Sequence, residues 1–170
     1  RLVPEDYGSI QLAIAASADG DRVLVGSGTW IGSVDTRNLA ITIESLAGAQ
    51  ATILDADGTG SVFKITRGET PDTIIRGFTI TGGTGTLHDT LLHGGAFYIK
   101  DSSPTIEDCT ITGNVAQMGA GGSVDHGSPR FNNCVFEDNF ATIDGGGLRF
   151  TEFSFPVLTD TSFLNNSASV

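Results

Sequence analysis

The chain has 170 residues, 20 acids against nine Lys and Arg, and 23 glycines. That is room for one domain, with about twice the usual share of glycine and few charges. A net charge of −11 argues against a nucleic-acid binder, which needs clustered Lys and Arg, and against docking on anionic lipid; no apolar run reaches the roughly 20 residues a spanning helix requires.

Ser9 to Ser17 is the one predicted helix. Ser9 is a suitable N-cap, and Ile10, Leu12, Ala13, Ile14 and Ala16 supply a crude apolar face. Strands are predicted over Arg22–Val25, Ala40–Glu44, Ser61–Thr66 and Thr73–Ile80. The sole tryptophan, Trp30, lies in Gly28-Thr29-Trp30-Ile31-Gly32, which reads as a turn. Asp55-Ala56-Asp57-Gly58-Thr59-Gly60 alternates acids and glycines as calcium loops do. Asp55 and Asp57 are therefore candidate calcium ligands, although the glutamate that closes such a loop is missing and a polar turn is the preferred reading. The stretch Thr84 to His93 is an insertion, read as solvated. His126 has no evident partner in the sequence and is assigned to the surface.

The second half repeats. Ser103-Pro104-Thr105-Ile106-Glu107-Asp108-Cys109-Thr110-Ile111-Thr112-Gly113-Asn114 is echoed by Ser128-Pro129-Arg130-Phe131-Asn132-Asn133-Cys134-Val135-Phe136-Glu137-Asp138-Asn139. A third copy runs from Phe155 to Asn166, and a partial one covers Phe78 to Gly83. The equivalent positions Phe78, Cys109, Cys134 and Thr161 stand 31, 25 and 27 residues apart. Glycine clusters followed by short strands separate the copies. Such periods belong to solenoids, propellers or arrays. The units are too rich in Gly, Thr, Ile and Phe for helices and too short for a propeller blade, and they suit one coil of a parallel β-helix.

Stacking the copies yields apolar columns Ile80, Ile111, Phe136, Phe163 and Ile75, Ile106, Phe131, Leu158. A third column is Gly83, Asn114, Asn139, Asn166. It predicts a bend ladder in which asparagines take left-handed backbone and hydrogen-bond from coil to coil. Cys109 and Cys134 become inward neighbours, as a thiol ladder or a disulfide. Outward positions on the glycine-cluster strands are predicted at Tyr98, Val124 and Arg149.

The pattern S-P-x-[IF]-x-x-C-x-[IF]-x-x-N with a following glycine triplet resembles the right-handed parallel β-helix repeat of the pectin-lyase-like superfamily, in the variety found in bacterial exported and cell-surface repeat proteins. The opening Val3-Pro4-Glu5-Asp6-Tyr7-Gly8-Ser9-Ile10-Gln11 and the later Asp19-Gly20-Asp21-Arg22-Val23 resemble the start of exported members. The resemblance implies an all-β fold: one right-handed parallel β-helix of about six coils, a short N-terminal capping helix and an open C-terminal coil. Residues 1–21 form the cap, 22–83 irregular early coils, 84–93 an inserted loop and 94–170 regular repeats. At the C-terminal end the expectation is that the natural chain continues, that another subunit covers the last coil, or that a blunt last coil is solvated.

The lyase and polygalacturonase signatures W-I-D-H, N-T-D, G-H-G and R-I-K are not found in the sequence. The leading expectation is a non-enzymatic exported structural or interaction module, extracellular or on the cell surface, self-stacking into a filament or part of a larger surface protein. The alternative is a carbohydrate-active enzyme or glycan-binding module. Expected partners are copies of itself, other surface proteins or polysaccharide, with no nucleic acid, no membrane insertion and no cofactor beyond the calcium considered above.

Overall fold

The structure, a computed structural model, describes residues 1–151 and 153–169. The chain winds through six coils, each laying one short strand on successive sheets. Sheet A holds Leu2–Val3, Arg22–Val25, Thr42–Ser45, Ile74–Arg76, Thr105–Glu107, Arg130–Asn132 and Val157–Thr159. Sheet B holds Gly28–Ile31, Thr52–Asp55, Thr79–Thr81, Thr110–Thr112, Val135–Glu137 and Ser162–Leu164. Sheet C holds Val34–Asp35, Phe63–Ile65, Phe97–Lys100, Gly122–Asp125 and Leu148–Phe150. Sheet D, at the corner between B and C, begins at the hairpin Thr86–His88 and Leu91–His93 and continues through Val115–Met118, Phe140–Asp144 and Ser167–Ala168. That hairpin is the antiparallel pair; the coil-to-coil pairs are parallel.

Side chains alternate across a strand, so one phase of every strand points into the tube. On sheet A the inward column is Val23, Ile43, Ile75, Ile106, Phe131, Leu158. On sheet B it is Trp30, Leu54, Ile80, Ile111, Phe136, Phe163. Ile111 and Phe136 are thus vertical neighbours. Fully burying one such side chain contributes about 1.5–3 kcal/mol. The phenylalanines also meet ring to ring: Phe63 stacks on Phe97 at 5.4 Å, and Phe131 meets Phe136 edge-on at 5.4 Å.

Corners are turned by single left-handed residues. Between A and B these are Gly77, Asp108, Asn133 and Asp160; between B and D they are Gly82, Gly113, Asp138 and Asn165. Gly, Asn and Asp tolerate that conformation best. The left-handed residue therefore precedes each ladder asparagine, which corrects the expectation that the asparagines themselves adopt it. The helix Ile10–Ala15 closes the first coil. Ser9 Oγ accepts the Leu12 N–H at 3.2 Å, and Ile10, Ala13 and Ile14 are buried.

Other expectations need correction. Trp30 lies in a strand and heads a core column, because two-residue alternation from Gly28 to Ile31 outweighs the flanking glycines. Thr73–Ile80 is two strands, bent at Gly77 where φ is 77°. Val124 faces inward beside Ile99 and is buried, and Ser123 holds the outward position between Tyr98 and Arg149. Both cysteines are buried and are free thiols in this structure.

Candidate functional site

The asparagine column is a continuous hydrogen-bond ladder. Asn139 Oδ1 accepts both the backbone N–H and the side-chain amide of Asn114, at 3.1 and 3.0 Å. Asn166 Oδ1 does the same for Asn139, at 3.2 and 2.8 Å. Gly83 N–H donates to Asn114 Oδ1 at 3.0 Å. Asn114 and Asn139 are completely buried, so the ladder satisfies polar groups that water cannot reach. Its role is to hold coils in register. Cys109 and Cys134 sit one corner away, and burial pushes both thiols up, Cys134 to about 11. Buried neutral thiols of this kind are inert.

Asp55 Oδ1 accepts the Asp57 N–H at 2.8 Å, and Asp57 is left-handed at φ 48°. The two acids thus form a turn. Among the described residues no group of three His, Cys, Asp or Glu is placed to hold a metal ion.

Sequence reasoning missed Glu69. It is buried at the corner from sheet C to sheet A. Its carboxylate accepts from Thr36 Oγ1 at 2.6 Å, Asn38 N–H at 3.1 Å, Arg67 N–H at 2.8 Å and Ser102 Oγ at 2.8 Å. Burial opposes ionisation, but these hydrogen bonds outweigh it and hold the carboxyl below its ordinary range. A signal existed: Glu69-Thr70-Pro71, Ser102-Ser103-Pro104 and Gly127-Ser128-Pro129 are the same corner in successive coils. Because the folded-state value is depressed, the stabilisation is complete above about pH 4.3, the unfolded-state value, and is lost as pH falls through the folded-state value. Urea midpoints measured from pH 7 to pH 3 should fall over that window. Glu69→Gln should lose about 2 kcal/mol at pH 7, because its amide donates where the site donates, and should flatten the acid limb.

The richest chemistry lies on the outer face of sheet C. Both lysines, Lys64 and Lys100, and all three histidines of the chain are on this face or on the segments beside it. Lys64, Tyr98, Ser123 and Arg149 form one outward column. The inserted segment is not a solvated loop: it is the sheet D hairpin, whose His88 and His93 rings lie 5.9 and 6.2 Å from the Tyr98 ring. Tyr98 is consequently buried. Burial and then Asp125, Asp89 and Asp101 push its hydroxyl up to about 12. His126 also has partners, Asp125 Oδ1 at 2.7 Å from Nδ1 and the Phe153 ring at 5.6 Å. Burial opposes ionisation of Asp125, but hydrogen bonds from Thr151 and His126 and the nearby Lys100 hold it below its ordinary range. Ser123 Oγ makes no hydrogen bond, so no base activates it for nucleophilic attack. The face has titratable side chains without an assembled nucleophile and base.

Leu158 and Phe163 end the two core columns at 43% and 44% exposure, and Phe155 and Val157 are exposed beside them. No helix among the described residues is long and apolar enough to cross a membrane.

No protein-family model matches this chain, and no curated protein matches it. Among solved structures, a pectin methylesterase in complex with hexasaccharide VII is similar, with a TM-score of 0.52 and 15% identity over 95% of this chain and 63% of that one. This chain therefore spans less than two thirds of that protein's length. Identity this low speaks to fold alone: this chain shares the parallel β-helix fold of that protein.

Proposed function

We propose that this chain is a non-enzymatic structural or interaction module of an exported or cell-surface protein, and that its sixth coil stacks against a further coil, either of the same larger protein or of another copy. The observation that carries this reading is the state of the core columns in coil six. Leu158 and Phe163 occupy phases that are buried in coils two to five and are largely open there. An unpaired strand edge beside exposed apolar side chains recruits another strand. The opposite end presents the exposed Leu12 on the outside of its helical cap. Where the stacked coil belongs to another copy, that cap and the sixth coil meet head to tail. A contact of that kind need not close, so it builds a filament.

Electron microscopy and sedimentation of the purified chain test this. Filaments with an axial repeat near 30 Å, six coils at about 4.8 Å each, are expected. Leu158→Lys combined with Phe163→Lys should abolish them. A monodisperse monomer at high concentration would overturn self-stacking. A second reading, a glycan-binding or carbohydrate-active module, has the polar face of sheet C in its favour, together with the saccharide bound by the similar pectin methylesterase. Monomers that deplete an acidic glycan from solution would favour it.

A further inference from the structure

We propose that the Thr86–His93 hairpin is an acid-released lid on the outer face of sheet C. Its attachment is slight. One parallel pair joins His93 to Met118, Leu92 N–H donates to Gln117 Oε1 at 2.8 Å, and the Ser61 and Thr86 hydroxyls lie 2.8 Å apart. The surface it lays on Tyr98 is made of His88 and His93, whose rings are 5.7 Å apart and nearly perpendicular.

Lys100 Nζ lies 3.3 Å from His88 Nε2. An ammonium donates and cannot accept, so this contact exists only while Nε2 is unprotonated. Protonation there would set two cations against each other at that distance. His93 is held below its ordinary range first by burial, then by Arg149 and His88. The charges around the pair come from every neighbouring element. The hairpin supplies Asp89, whose Oδ2 is 3.3 Å from His88 Nε2. The third coil supplies Tyr98, Lys100 and Asp101, the fourth Asp125 and His126, the fifth Asp144 and Arg149, and the second Lys64.

Asp89 and Asp125 favour protonation, yet both are compromised. The Asp89 side chain is 88% exposed, so solvent screens it. Asp125 is already engaged by Thr151, His126 and Lys100. The balance holds His93 below its ordinary range in the docked state, and the Lys100 contact at His88 Nε2 is lost when that nitrogen takes a proton. A base with a depressed docked-state value binds its proton more readily after release. Docking is therefore complete above about pH 6.5, the free imidazole value, and weakens as pH falls through the docked value. Release uncovers Tyr98 and, beside it, the Ser123 hydroxyl and the Arg149 guanidinium, whose Nε lies 3.3 Å from Asp144 Oδ2 and whose buried Nη1 makes no hydrogen bond.

Amide hydrogen exchange of residues 86–93 in the whole chain, corrected for intrinsic rates, tests the lid. Protection should fall at least about tenfold between pH 7.5 and 5.5, the effect of one coupled proton over one pH unit, while the Ile111 amide stays unchanged. The double variant His88→Gln, His93→Gln should show equal protection at both pH values. Lys100→Met should reduce the acid-induced loss of protection over residues 86–93. Equal protection in the wild type at the two pH values, a persisting acid response in the double variant, or an undiminished acid response in Lys100→Met would each overturn the proposal.

Discussion

Replacing Asn139 by alanine is expected to remove about 3–4 kcal/mol of stability, a large fraction of what a domain of this size has. One truncation removes four hydrogen bonds. Asn114 N–H and Nδ2 lose their acceptor, Ile111 O loses its 2.9 Å donor, and Asn166 Oδ1 loses its 2.8 Å donor. Asn139 is completely buried, so water does not replace these partners. Asn139→Asp should be at least as harmful. It keeps the acceptor but aims a second oxygen at Ile111 O and Asn166 Oδ1. Urea or thermal denaturation followed by circular dichroism reads both variants. A loss below about 1 kcal/mol, the typical net worth of one ordinary hydrogen bond, would mean that the ladder does not hold the coils together.

Gly121→Ala should be worse, preventing the native fold or lowering its stability by more than about 4 kcal/mol. The added Cβ would stand 2.3 Å from Gly147 O in the next coil and 2.8 Å from Phe136 Cδ1 in the core. It is caught between a backbone carbonyl and a packed ring, and neither can yield without separating coils four and five. Gly8→Ala is the matched control. Its Cβ meets nothing within 4 Å, so a near-neutral effect is expected. Comparable melting temperatures for the two variants would show that coils are not stacked this closely at the glycine cluster.

These variants follow from how differently the parts of the molecule are written in the chain. The repeat was legible because it is local and periodic. Alternation puts Ile106, Ile111, Phe131 and Phe136 inside in any register of whole coils. The ladder asparagines were legible for the same reason, since Asn114, Asn139 and Asn166 recur at the repeat length. The early coils were harder. The first three lack the Asn and Cys markers, and their lengths differ from the later ones, so Trp30 passed for a turn residue and Thr73–Ile80 for a single strand.

The candidate site was legible only in pieces. Tyr98, Arg149 and the histidines could each be named, but nothing in the spacing of His88 and His93 says that they fold back on Tyr98. That depends on a two-residue turn at Asp89 and Thr90, both left-handed at φ 46° and 77°, and on an opening at the corner of the third coil. Val124 was placed outside for a related reason. A one-residue error in register across the glycine cluster exchanges the two faces of a strand.

By itself the sequence determined the solenoid, its core columns and the amide ladder, because each arises from contacts between equivalent positions of a repeat and needs no knowledge of distant segments. Tertiary structure alone decided the buried Glu69 corner, the hairpin over sheet C, and the gathering of the lysines and histidines on one face. Those depend on where aperiodic segments land once the coils are wound, and short-range pattern carries no record of that.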